Sequence, residues 1–147
     1  MSDIRHAEAR DLPVLVDMGR RFHEVSGLKE LIGFDEMSFL GTLSKLMDVR
    51  GLLVDGESFP RAMAGVFAAP SFYNSQVRIA GELFWWTDPE HRGNGKEMLK
   101  AIECTARAMG AGLLHMSCLE AQRPEAVGKL YQRAGYRPVD HLYHKAL

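Results

Sequence analysis

The stretch from Val77 to Met109 reads VRIAGELFWW, then TDPEHRGNG, then KEMLKAIECTARAM. It places a long apolar run against a glycine-punctuated turn and a helical pattern, with no linker between them. The first ten residues predict a strand, with Gly81 as a bulge or a point of close approach. Met98, Leu99, Ala101, Ile102, Thr105, Ala106 and Met109 lie largely at three- and four-residue spacings. They predict a helix from about Gly95 to Met109 that Gly110 and Gly112 end. A strand joined so tightly to a helix must sit in a sheet that the helix covers, which excludes all-helical and all-sheet folds.

The rest of the chain extends that pattern. Asp3–Ala7 predicts a short strand, followed by a helix over EARDLPVLVDMGRRFHEV with Pro13 in its first turn. SGLKELIGFDE reads as a loop, and FDEMSFLGTLSKLMD resumes helical spacing. Gly51–Asp55 and RAMAGVFAAP predict strands, as does GLLHMSC (Gly112–Cys118). RPEAVGKLYQRAG predicts a helix that Gly135 stops. YRPVD and LYHKA predict two final strands. The order β-α-α-β-β-β-α-β-α-β-β mixes hairpins with strand–helix–strand crossovers. It calls for a mixed α/β sheet with helices on both faces.

Composition narrows the class. The 147 residues suit one domain, and 46% hydrophobic with 25% charged residues is the mixture of a globular chain. A net charge of −1 gives no basic excess for a nucleic-acid backbone. The charged N-terminus carries no signal-peptide pattern and no run is long enough to span a bilayer, so a cytoplasmic, reduced protein is expected. Cys104 and Cys118 then read as small core residues. His115 and Cys118 would fall on opposite faces of a regular strand, and no histidine–cysteine set has metal-ligand spacing, so no metal is expected.

Three phosphate-binding templates meet Arg92–Glu97. A P-loop needs a glycine five residues before the Gly-Lys pair and a Ser or Thr after it; Glu90 and Glu97 occupy those positions. The dinucleotide fingerprint needs a glycine three residues beyond the second, where Met98 stands. The third, Arg/Gln-x-x-Gly-x-Gly/Ala, matches at Arg92 and Gly95 and departs at Glu97. Free N–H groups at a helix start attract anions, and Gly93 and Gly95 let a pyrophosphate approach without a Cβ in the way. Arg92 and Lys96 add positive charge. Glu97 suits the helix dipole but must point away from a diphosphate. By itself the turn also reads as an ordinary helix start.

On these residues the chain resembles the GNAT superfamily of acyl-CoA-dependent N-acetyltransferases. FWWTDPEHRGNG looks like that family's PE-x-RG-x-G stretch, and LYQRAGYRPV (Leu130–Val139) looks like its LYE-x-x-GF stretch. The element order is similar over nearly the whole chain, in the style of small bacteriophage-encoded members. The resemblance implies one domain over residues 1–147 with a largely antiparallel mixed sheet. It also implies acetyl-CoA as cosubstrate, an amine acceptor and direct transfer in a ternary complex. The cofactor-binding residues would be Phe84, Trp85 and Trp86, through a backbone N–H on that stretch, and Arg92, Gly93, Asn94, Gly95, Lys96 and Glu97 at the turn. Family members often dimerise, and no stripe here marks an interface.

Acetyl transfer to an amine needs a base for the ammonium and an acid for the leaving thiolate. Glu82, in an apolar strand, is the candidate base, since the family often places a carboxylate there. It reads equally as a surface carboxylate of an alternating strand. Asp88 and Glu90 read as solvated. Tyr131 is the candidate acid by the same resemblance, and a core position on its helix is compatible with that role. Pro124 stands where the family has asparagine and Val127 where it has alanine, which leaves Gln122 or Arg123 as candidates to compensate. Trp85 and Trp86 should alternate faces, both safest as core residues. The resemblance puts the acceptor between roughly 25–36 and 137–143. Glu24, Glu30, Asp35 and Glu36 there suit a cationic amine or are simply solvated. A small amine, an aminoglycoside-like molecule and a protein lysine or N-terminus stay open. A non-catalytic acyl-CoA-binding regulatory module is the rival reading.

Overall fold

The computed structural model describes residues 3–147. Strand β1 is Ile4–His6, followed by a short 3-10 turn, Ala9–Asp11, and helices α1, Leu12–Val25, and α2, Glu36–Asp48. Strands β2, Leu52–Asp55, β3, Ala62–Pro70, and β4, Arg78–Thr87, then lead through a 3-10 turn, Pro89–His91, into α3, Gly95–Ala108. β5, Ala111–His115, and α4, Pro124–Arg133, complete the regular structure. The sheet runs β1-β2-β3-β4-β5; the first three pairings are antiparallel and β4–β5 is parallel. This is the mixed, largely antiparallel α/β architecture expected. No helix among the described residues is long and apolar enough to cross a membrane.

Each face of the sheet has its own core. Leu15, Val16 and Met18 of α1 and Leu43 and Leu46 of α2 pack on Leu52, Val54, Met63, Phe84 and Trp86. On the other face Met98, Ile102 and Ala106 of α3 pack on Leu53, Ala62, Ala64, Val66 and Ala80. The small residues of β3 are a steric requirement. A Cβ at Gly65 would stand 2.8 Å from both Leu46 and Phe84. Each fully buried aliphatic side chain contributes roughly 1.5–3 kcal/mol of transfer free energy.

Polar contacts define the helix starts. Asp35 caps α2 by accepting the Ser38 N–H at 2.7 Å. Asp11, buried before α1, accepts two guanidinium bonds from Arg5 at 2.7 and 2.9 Å and the Glu8 N–H at 2.8 Å. That arrangement ties β1 to the start of α1.

Three expectations need correction. YRPVD and LYHKA form no strands. Among the described residues Tyr136 is the last to make a hydrogen bond, through its N–H to Tyr131 and its hydroxyl to Glu103 at 2.9 Å. Beyond it Val139, Leu142 and Tyr143 are exposed. Alternation alone does not make a strand; a partner edge does, and an isolated hairpin is marginal in water. Cys104 and Cys118 are exposed rather than in the core, and β5 ends before Cys118. Asp88 is buried, not solvated, because it accepts from Trp86 Nε1 at 3.0 Å and Arg21 at 2.7 Å.

Candidate active site

The site arises where β4 and β5 part. They pair only from Arg78–Gly81 on β4. The β3–β4 register then skips Leu83, which bulges, two residues beyond the glycine that the sequence marked. Gly81 is the close-approach point: a Cβ there would lie 2.3 Å from His115 Nε2. Past it, the side of β4 away from β3 has no strand partner. A cleft of about 280 Å³ opens between Glu82–Thr87, the segment after β5, and α4.

One end of the cleft is the glycine turn. Gly93 has φ +138°, a conformation that side chains rarely adopt. The first intrahelical bond of α3 runs from Met98 N–H to Asn94 C=O, so the N–H groups of Gly95, Lys96 and Glu97 have no helical acceptor. Arg92, Gly93 and Gly95 line the cleft; Lys96 and Glu97 are exposed and do not. Asn94 makes no side-chain cap. Its amide donates to Asp55 Oδ2 at 2.8 Å.

The other end holds Glu82 and Tyr131. Glu82 Oε2 accepts the Ser117 N–H at 3.0 Å, and the Tyr131 hydroxyl donates to the Ser117 carbonyl at 2.8 Å. Burial pushes the Glu82 carboxyl above its usual range, and hydrogen bonding from Ser117 only partly offsets that. Burial, then the Glu82 charge, raises the Tyr131 phenol well above its usual value, so it stays protonated. A carboxylate of raised basicity and a neutral hydroxyl thus share one cleft. The pair has the makings of a proton acceptor and a proton donor.

The walls are aromatic and apolar. Trp86 is buried towards α1, with its ring 5.5 Å from Phe22, and half-buried Trp85 packs on the α3 side. Both line the cleft, whereas the Phe84 side chain points into the core against Phe39. Gln122 and Arg123 line the opposite wall. Gln122 donates to the Val25 carbonyl at 2.8 Å, and Arg123 holds a left-handed φ of 49°. Ser117 and Asp55 escaped the sequence reading. Ser117 works through its main chain, which leaves no residue-type signal. Asp55 lies 39 residues from the turn that it reaches.

The acids near the expected acceptor region are largely engaged locally. Glu24 pairs with Lys29, Glu36 with Arg20, and Asp35 caps α2. With no final hairpin, residues 137–143 build no opposing wall.

No family description matches the chain, and no curated protein matches it. Solved structures do. A predicted acetyltransferase from Clostridium acetobutylicum with acetyl-CoA superposes with a TM-score of 0.74 at 19% identity, covering 99% of this chain and 96% of that one. A GCN5-related N-acetyltransferase from Ralstonia eutropha JMP134 gives 0.70 at 17% identity, covering 99% and 98%. A transcriptional regulator from Bacillus halodurans C-125 gives 0.77 at 20% identity, covering both chains completely. The protein therefore has the fold of the GCN5-related acetyltransferases.

Proposed function

We propose that the protein is an N-acetyltransferase that moves an acetyl group from acetyl-CoA to a primary amine by direct transfer. The observation that carries this reading is the two-ended cleft. Free helix N–H groups, Gly93 and Arg92 stand at one end, and Glu82 and Tyr131 stand at the other. The pyrophosphate would sit on the turn, its charge met by the α3 N-terminus and Arg92. The acyl-pantetheine arm would run along the unpaired side of β4. Glu82 would take the proton from the ammonium, directly or through a water. A main-chain N–H in the Phe84–Trp86 stretch would meet the developing oxyanion. Tyr131 would give its proton to the departing sulfur. No metal enters any of these steps.

A second reading has its own support. The same fold occurs in a protein described as a transcriptional regulator, and fold alone does not fix chemistry, so a module that binds acyl-CoA without transferring it is the second reading. Calorimetry with acetyl-CoA and CoA, followed by thiol release with a panel of amines, separates the two. Binding with amine-dependent CoA release that Glu82→Gln abolishes supports the enzyme. Binding without release from any amine supports the regulator, and no binding at millimolar ligand removes both.

A further inference from the structure

Asp55 sits at the end of β2 and is 4% exposed, yet its carboxylate is poorly satisfied. Oδ2 accepts one hydrogen bond, from Asn94 Nδ2 at 2.8 Å. Among the described residues Oδ1 has no hydrogen-bond partner, and its ion pair with Arg61 is long, at 3.8 Å. Burying a carboxylate with so few partners costs stability that an apolar residue would not cost. Asn94, for its part, forgoes the capping bond that an asparagine at a helix N-cap ordinarily makes. It lies between Gly93, whose backbone is left-handed in φ, and Gly95, the first residue of α3. Glycines flank it on both sides, so neither neighbour has a side chain to hold the shape of the turn.

We propose that Asp55 is a positioning residue for the phosphate turn. By holding the Asn94 amide against the sheet, it keeps the N–H groups of the turn facing the cleft before ligand arrives. Asp55 touches no ligand itself. It acts through Asn94, and a preformed anion site spares the ligand the entropy of ordering a glycine loop. The inference rests on the acetyl-CoA reading above. It adds that affinity for the diphosphate end depends on a carboxylate at the far edge of β2.

The test compares two ligands and three variants. Acetyl-CoA carries the diphosphate; S-acetylpantetheine lacks it. In Asp55→Leu and Asn94→Ala, the dissociation constant for acetyl-CoA should rise by about tenfold, while that for S-acetylpantetheine is unchanged. Asp55→Asn keeps an oxygen to accept from Asn94 and should stay within about threefold of the parent. The melting temperature of Asp55→Leu should hold or rise, because a buried charge with only one hydrogen bond and one long ion pair, to Arg61, has gone. A purely structural role predicts a lower melting temperature and equal losses for both ligands; that pattern, or no loss for either, overturns the anchor. Should Asp55→Leu not fold, Asn94→Ala decides alone. Parent protein that binds no acetyl-CoA overturns the functional reading with it, whereas binding that survives in both variants overturns only the anchor.

Discussion

Glu82 and Tyr131 come from β4 and α4 and meet through one residue, the N–H of Ser117 held by the carboxylate and its carbonyl by the phenol. The two candidate proton carriers are thereby fixed relative to each other through Ser117. Glu82→Gln should lower kcat/KM by on the order of a hundredfold or more. Tyr131→Phe should lower kcat with little change in the KM for acetyl-CoA. Steady-state kinetics of both variants checks this, and parental rates in Glu82→Gln would remove Glu82 from the mechanism.

The pH profile carries a sign. The Glu82 carboxyl is raised above its ordinary 4.5 by burial, and only its ionised form accepts a proton. Activity should therefore rise with pH through a value above 4.5, and Glu82→Gln should lose that limb. Stability runs the other way. The folded protein holds this proton more tightly than the unfolded chain. The stabilising contribution is complete below 4.5 and is lost as pH rises through the folded value. Denaturant titrations of parent and Glu82→Gln across pH 4–8 read the difference directly.

Asp11 gives the opposite slope. Its hydrogen bonds from Arg5 hold the carboxyl below the ordinary 3.8, so its contribution is present above that value and lost as pH falls through the lower, folded one. Asp11→Ala should destabilise by roughly 2–4 kcal/mol, somewhat less than for a fully buried pair, since Arg5 keeps contact with water. Urea unfolding at pH 7 measures the loss, and the variant should lack the acid-side step.

The two turn glycines should separate stability from binding. Gly93→Ala forces a φ of +138° on a side chain and should cost about 1–3 kcal/mol. At Gly95 a Cβ would meet Leu130 at 3.5 Å and Trp85 at 4.0 Å, both ordinary contacts, so Gly95→Ala should fold within about 0.5 kcal/mol of the parent. It should still bind acetyl-CoA more weakly, because the methyl group meets the incoming phosphate. Thermal unfolding paired with calorimetry checks both halves.

The parts of this fold that were legible in the sequence are those with local signals. The run into β4, the glycine punctuation at 93 and 95 and the spacing of α3 are each set by residues near in sequence. The two missing C-terminal strands show the limit. Alternation in YRPVD and LYHKA marks a segment able to be a strand, but not the edge that it would need. Asp88 was misjudged for a related reason: its burial depends on Arg21, 67 residues away. Within the site, Glu82, Tyr131, Arg92, Gly93 and Gly95 line one cleft; the sequence singles them out through the turn motif and the family resemblance. Ser117 and Asp55 contribute through the main chain and through a tertiary contact, neither of which a residue pattern displays.

Gly81 has a consequence for the cleft that it never touches. The zipper between β4 and β5 closes on this residue, with the His115 ring in the space where a methyl group would be. Any larger residue must push that ring and the Phe67 ring aside at the last paired rung of the ladder. The aperture available to a ligand is thus calibrated by an absent atom. Variation at position 81 would act as a dial on the fork between the two strands, leaving every residue that lines the cleft unchanged.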